Sequence, residues 1–369
     1  MRILVLSAYD AQSHQYWRTS LEEQFPQYEW TQLSLPARYF SWRVRGNSLS
    51  WAYNERETLE QPWDLIIATS MVDLSALRGF VPNISQVPTL VYFHENQFDY
   101  PASGNEISLV EPQLLSIYTA LCADKIAFNS HYNRDTFLDG CSKLLKKLPD
   151  QVPKDISKLI SAKSSVLPVP LKQLPDQLLT SLKQNKLQNT DAPLEIVWNH
   201  RWEYDKGPDT LYLVLKALME QKVQCRVHVV GQRFRQIPEA FNKIQQECQS
   251  ILGQWGYLER KADYWTLLFS SDVVLSTATH DFQGLAILEA VQAGCIPLVP
   301  NRLAYPEYLP KQYCYQTSSQ EHEVVSIVNA LKERADQKRL GDMANVPDIG
   351  QLEWRSLKES YLRLVNELT

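Results

Sequence analysis

Asp272-Val273-Val274-Leu275-Ser276, followed after a short gap by His280-Asp281-Phe282-Gln283-Gly284-Leu285-Ala286-Ile287-Leu288-Glu289-Ala290, decides how this chain is read. The first run is short and apolar between polar ends, which reads as a strand buried on both faces. The second begins as a turn and continues, from Leu285 to Ala293, as an apolar-periodic helix. A helix starting there points free N–H groups, and the positive end of its dipole, past the carboxyl end of the strand. Gly284 lets the backbone approach a ligand closely. Asp281 in the turn and Glu289 inside the helix add acceptors for hydroxyls. The segment therefore suits a phosphate with a hydroxyl-bearing group beside it.

The same alternation runs along the whole chain. Strands are expected at Ile3–Ser7, Trp30–Leu35, Leu65–Thr69, Thr89–Phe93 and Lys125–Asn129, with helical patterns such as Trp17–Phe25, Gln113–Cys122 and Tyr132–Leu148 between them. Val166-Leu167-Pro168-Val169-Pro170 and the polar stretch from Lys183 to Pro193 break the pattern. A second series follows, with strands at Leu194–Asn199, Arg226–Gly231, Ile251–Trp255, Val273–Ser276 and Ile296–Val299. The expected fold class is α/β, with two doubly wound Rossmann-like domains facing a central cleft. The expected boundaries are 1–172 for the N-terminal domain, 173–193 for a linker, 194–350 for the C-terminal domain, and 351–369 for a final amphipathic helix that caps the second domain or crosses back to the first. Ligands in such sheets bind outside the carboxyl ends of the strands.

Composition narrows the class. A chain of 369 residues with 44% hydrophobic residues can bury two cores. The net charge of −5 announces no global affinity for nucleic acid, leaving local patches as the means of any such contact. The six cysteines are scattered without a Cys-x-x-Cys pair, so reduced core thiols are expected rather than a disulfide framework or a zinc site. Met1-Arg2-Ile3-Leu4-Val5-Leu6-Ser7 is too short an apolar run for a signal peptide, and no run is long enough to span a membrane. The expectation is a cytoplasmic protein with no membrane or protein partner evident.

Polar blocks recur where strands end. Asn199-His200-Arg201-Trp202-Glu203-Tyr204-Asp205-Lys206-Gly207-Pro208 leaves the first strand of the second series. Arg201 and Lys206, beside a helix started by Pro208, suit a diphosphate, the one as a fork and the other as a point charge; alone, the block also reads as a solvated turn. In the first series, His94-Glu95-Asn96-Gln97 follows a buried strand, Ser13-His14 follows the first strand, Trp42-Arg43-Val44-Arg45-Gly46-Asn47 the second, and Asn129-Ser130 ends the fifth. Such loops carry function, although a surface loop with capping residues is the plainer alternative. Arg38, Arg43 and Arg45 interleave with Tyr39, Phe40 and Trp42, a mixture that contacts phosphates and stacks on unpaired bases. Lys143, Lys146, Lys147, Lys154, Lys158 and Lys163 form a second basic stretch, also readable as a solvated face.

Arg201…Lys206-Gly207 and the pair Asp281…Glu289 resemble the signatures of retaining glycosyltransferases of family 4, which have the two-domain GT-B architecture. That acidic motif carries Glu at both ends; here its first position is Asp281, a shorter acid. The resemblance implies that Arg201 and Lys206 bind a donor diphosphate, that Asp281, Phe282, Gln283, Gly284 and Leu285 hold the donor hexose, that Glu289 accepts hydrogen bonds from the nucleotide ribose, and that Tyr257 and Leu258 meet the base. Together with Tyr100-Pro101, the polar blocks of the first half are similar to the glycosyltransferase-like family that includes tRNA-queuosine mannosyltransferase. This resemblance implies transfer of mannose from GDP-mannose to queuosine at the tRNA wobble position, with tRNA-Asp as the expected carrier and retention of configuration. His94, Arg201, Lys206 and Asp281 are then expected in catalysis. Ser13, His14, Arg43, Arg45, Asn47, Glu95, Asn96, Gln97, Asn129 and Ser130 are expected toward the acceptor. Neither a cofactor nor a metal is expected, because cations and helix N–H groups meet the diphosphate charge. Two alternatives stand beside this: the same enzyme class with another nucleotide sugar or a non-RNA acceptor, and a non-catalytic protein that binds RNA or a sugar nucleotide.

Overall fold

The computed structural model describes residues 1–99, 110–174, 190–234 and 236–369. It divides into two compact units, one of Met1–Pro170 with Trp354–Thr369 and one of Leu171–Glu353. Most of the stretch expected as a linker, 173–193, lies outside the described residues, as do Tyr100 and Pro101.

The first unit is built on six parallel strands: β1 Arg2–Asp10, β2 Glu29–Pro36, β3 Leu65–Thr69, β4 Thr89–Phe93, β5 Lys125–Phe128 and β6 Ser164–Val166. Their order is β2-β1-β3-β4-β5-β6. Every residue of β3 and β4 is buried, because helices cover both faces and remove any reason for alternation. The chain runs from β1 outward to β2 and returns to β3 on the other side, so the switch point of this sheet lies between β1 and β3. The short β6 strand escapes sequence reading, since Ser164-Ser165-Val166 lacks an apolar run and borders a proline-rich break.

The second unit repeats the plan with β7 Leu194–Trp198, β8 Cys225–Val230, β9 Leu252–Gly256, β10 Val273–Leu275, β11 Ile296–Pro300 and β12 Cys314–Tyr315, again all parallel. The order β12-β11-β10-β7-β8-β9 puts its switch point between β7 and β10. These two strands end in the two blocks that the sequence singles out.

The final helix, Trp354–Asn366, belongs to the first unit. Tyr361 on it is buried, accepts a hydrogen bond from the Trp17 indole at 3.1 Å and donates to the Pro168 carbonyl at 3.0 Å. None of the six cysteines is in a disulfide. Among the described residues, no helix is long and apolar enough to cross a membrane.

Candidate functional site

In the second unit the loops after β7 and β10 are stitched together. The Asp205 carbonyl accepts the Thr279 and His280 N–H groups at 2.9 and 3.2 Å, and the Thr277 hydroxyl donates to the Lys206 carbonyl at 2.8 Å. Gly207 makes this approach feasible: its φ is +65°, and a Cβ there would sit 2.1 Å from the Thr277 carbonyl oxygen. Pro208 then opens the helix Pro208–Glu220.

The buried Lys206 ammonium reaches the His280 carbonyl at 2.6 Å, Asp205 at 3.2 Å and Asp281 at 3.5 Å. Burial alone would raise the Asp281 carboxyl; the Lys206 charge beside it and the Gly284 N–H outweigh that and hold it below the usual range. Asp281 Oδ1 accepts from the Gly284 N–H at 2.8 Å, while Oδ2 faces Lys206 and the Tyr305 hydroxyl at 3.4 Å. The shorter acid thus has the right length to close the turn that starts the helix Leu285–Gln292. Arg201 closes on Glu203 at 2.9 Å in its own turn, with its side chain half exposed. Behind these groups, His200 Nε2 lies 3.0 Å from Ser276 Oγ, which lies 2.9 Å from the Tyr305 hydroxyl. Burial, with Lys206 adding to it, pushes the His200 imidazole down to about 3, so the ring is neutral.

Glu289 sits on the helix Leu285–Gln292. Burial raises its pKa, opposed by the hydrogen bond it accepts from Tyr264 at 3.1 Å. Phe282 and Gln283 are buried, and the Phe282 ring packs edge-on against His280 at 4.6 Å. Tyr257, half exposed, and Leu258 lie at the carboxyl end of β9, two strands from the switch point.

In the first unit the helix Gln12–Gln24 brings His14 against His94, with ring centroids 4.0 Å apart. Trp17 and Tyr92 enclose His94 at 4.9 and 4.7 Å. Burial, and then His14, holds the His94 pKa well below 6.5; burial also lowers His14, against the pull of Glu95 and Asp10. His94 Nε2 is buried with no hydrogen-bond partner among the described residues. The nearest acid to His14 is Glu95, at 3.9 Å from its Nε2, and Ser13 Oγ lies 3.5 Å from its Nδ1.

Several residues expected toward the acceptor hold these loops in place. Asn129 donates to the His94 carbonyl at 2.8 Å, and Ser130 caps the helix His131–Lys147 by accepting the Asn133 N–H. Asn96 donates to Asn133 and Thr136 and accepts the Phe98 N–H at 2.9 Å. Asn47 is fully buried, donates to the Arg43 and Met71 carbonyls and accepts the Asp73 N–H at 3.0 Å. The amides of Asn47 and Asn96 are engaged on both sides by the fold. Gln97 is buried, its amide 3.7 Å from the Met71 sulfur.

The Trp42–Asn47 block lies inside the helix Phe40–Asn54 and not in a loop. Arg43 is buried and points back to the Pro36 carbonyl at 3.4 Å, while Arg45 pairs with Asp73 at 2.8 Å and Glu111 at 3.2 Å. Tyr39 and Trp42 remain 71% and 51% exposed, and the Arg38 guanidinium lies over the Tyr39 ring at 5.5 Å. In the lysine stretch, Lys143 pairs with Asp139 and Lys158 with Asp155, as a solvated face would.

Sequence reasoning missed Tyr264, Tyr305 and Asn133. Each acts through contacts between elements far apart in the chain, so no local pattern marks it.

Comparison with known proteins places this geometry. Residues 2–171 match the family model described as tRNA-queuosine alpha-mannosyltransferase N-terminal, and residues 180–345 match that of glycosyl transferases group 1. A Drosophila melanogaster protein named tRNA-queuosine alpha-mannosyltransferase is 34% identical over 320 residues, 86% of this chain and 84% of the relative. Among solved structures, Anabaena HepE in complex with UDP matches with a TM-score of 0.65 at 14% identity, over 100% of both chains. An E. coli structure bound with UDP-2-fluoro glucose matches with a TM-score of 0.62 at 14% identity, also over 100% of both. These likenesses establish the α/β two-domain GT-B fold. The chain is a glycosyltransferase, and it belongs to the tRNA-queuosine alpha-mannosyltransferase family.

Proposed function

We propose that the protein transfers mannose from GDP-mannose to queuosine at the wobble position of tRNA, tRNA-Asp foremost, with retention at the sugar carbon. The observation that carries this reading is the junction at the switch point of the second unit, where Lys206 and Asp281 meet beside the start of the helix Leu285–Gln292. The name of the Drosophila relative supports the choice of sugar and acceptor.

In this reading Arg201, Lys206 and the helix N–H groups take up the charge that grows on the departing diphosphate. The leaving phosphate oxygen accepts the proton of the attacking queuosine hydroxyl, so no protein nucleophile enters. Asp281 holds the turn and accepts from hexose hydroxyls, Glu289 takes the ribose, and Tyr257 and Leu258 meet the base. His94, neutral and with an unpartnered Nε2, orients the hexose; a charged ring there would raise the energy of a cationic sugar centre. Glu95, Ser13, His14 and Gln97 lie toward the acceptor, and Arg38, Tyr39 and Trp42 offer stacking and phosphate contact to the RNA. Because these cations and N–H groups meet the diphosphate charge, the reaction proceeds without a metal.

The test is incubation with labelled GDP-mannose and tRNA that carries or lacks queuosine, in buffer containing a chelator. Label is expected only on queuosine-containing tRNA. Equal labelling of both, or of neither, overturns the reading, and labelling that needs added metal overturns the metal-free form of it.

A further inference from the structure

We infer that Asn199 and Tyr264 form, with Glu289, a single hydrogen-bonded reader for the vicinal diol of the donor ribose, in which Tyr264 is a positioning residue. The inference rests on the proposed placement of a nucleotide on the second unit.

Three elements converge here. Asn199 leaves the carboxyl end of β7, Tyr264 lies on the helix Lys261–Ser270, and Glu289 lies on the helix Leu285–Gln292. Asn199 Nδ2 donates to the Ala286 carbonyl at 2.8 Å and to the Tyr264 hydroxyl at 3.0 Å. The Tyr264 hydroxyl donates to Glu289 Oε2 at 3.1 Å. The direction of these bonds is fixed by chemistry. A carbonyl only accepts, so the Asn199 amide nitrogen must face Ala286. Its second hydrogen then goes to the phenol oxygen, which frees the phenol hydrogen for the carboxylate. Burial, with the Glu289 charge adding to it, raises the Tyr264 phenol well above its ordinary range, so that hydrogen stays in place.

Two acceptors are left over. Asn199 is 94% buried (6% exposed), and its Oδ1 has no donor among the described residues. Glu289 receives its bond on Oε2, and no donor among the described residues reaches Oε1. An unpaired buried acceptor such as Asn199 Oδ1 costs roughly 1–3 kcal/mol, which a ligand donor removes. Both acceptors belong to the switch-point end of the sheet, and a ribose diol brings two O–H donors on neighbouring carbons. Tyr264 occupies Oε2 and so turns Oε1 toward the ligand.

Titration calorimetry of the full chain with GDP and with 2′,3′-dideoxy-GDP tests this, using the wild type and Glu289→Ala, Tyr264→Phe and Asn199→Ala. The wild type is expected to prefer GDP by about tenfold or more, as one hydrogen bond to a buried acceptor and one to a carboxylate allow. Glu289→Ala removes most of that preference. Tyr264→Phe and Asn199→Ala each reduce it by about threefold or more, leaving affinity for the dideoxy nucleotide within about twofold of wild type. A structural defect would weaken both ligands alike. Tyr264→Phe keeps the ring and decides the matter if Asn199→Ala fails to fold. Full preference retained in Tyr264→Phe overturns the reader while leaving the nucleotide site standing. No GDP binding by the wild type, or no preference, overturns the nucleotide reading and the inference with it.

Discussion

His14, His94 and His200 are held neutral by burial, and they set how the protein responds to acid. A histidine whose folded pKa is depressed takes its proton first in the unfolded chain. Its contribution to stability is therefore complete above pH 6.5 and is lost as pH falls below that value, by up to about 1.4 kcal/mol per pH unit for each such group. For His200 the loss continues down to about pH 3. Urea midpoints measured at pH 7.5 and 5.5 are expected to fall, and His200→Gln, which keeps a polar partner for Ser276, is expected to flatten the fall; an unchanged slope would remove His200 from this account. These roles were only half legible in the sequence. His14, His94 and His200 stand out as strand-end histidines, but their burial depends on Trp17, Tyr92 and the loop after β10, which only the fold brings to them. Asp281 is the converse case. In the sequence it is only a shorter acid than the resembled motif carries, and the structure shows its Oδ1 accepting the Gly284 N–H at 2.8 Å.

At the scale of elements, the final helix has a structural consequence for the first-unit loops. Tyr361 joins the Trp17 indole to the Pro168 carbonyl, and Trp17 packs on both Tyr92 and His94. Tyr361→Phe leaves a buried N–H and a buried carbonyl without that partner, which is expected to cost roughly 1–3 kcal/mol in urea unfolding. A change below a few tenths of that would mean the hydroxyl is dispensable. The helix itself is plain in the sequence, since Leu352 to Leu368 is amphipathic throughout, but its destination is not. Amphipathicity says that one face is covered and leaves open by what. The strands were legible for a related reason: Leu65–Thr69 and Thr89–Phe93 are continuous apolar runs, and only burial on both faces explains them. Cys314–Tyr315 was missed because a strand of two residues carries no period.

At the scale of the whole molecule, two sheets with separate switch points put the proposed nucleotide site and the His14–His94 pair in different units. That division predicts separable kinetic defects. Arg201 is half exposed and paired with Glu203 across its own turn, and Lys206 stays beside the buried Asp205 when Arg201 is removed. Arg201→Ala is expected to weaken GDP binding by about tenfold or more, the scale of a lost charge-assisted bond to phosphate. His94 lies in the first unit and its ring touches only residues of that unit among the contacts described. His94→Ala is therefore expected to leave the GDP Kd within about twofold and to lower kcat by roughly a hundredfold, the usual cost of losing one preorganised group at a developing charge. Calorimetry with GDP and steady-state transfer measure the two quantities on the same preparations. If His94→Ala weakened GDP as much as Arg201→Ala does, or left kcat intact, the assignment of His94 to the transferred sugar would fail; His94→Gln, which keeps a polar group in the pocket, is expected to recover part of kcat, and no recovery would leave His94 a prop of the first unit.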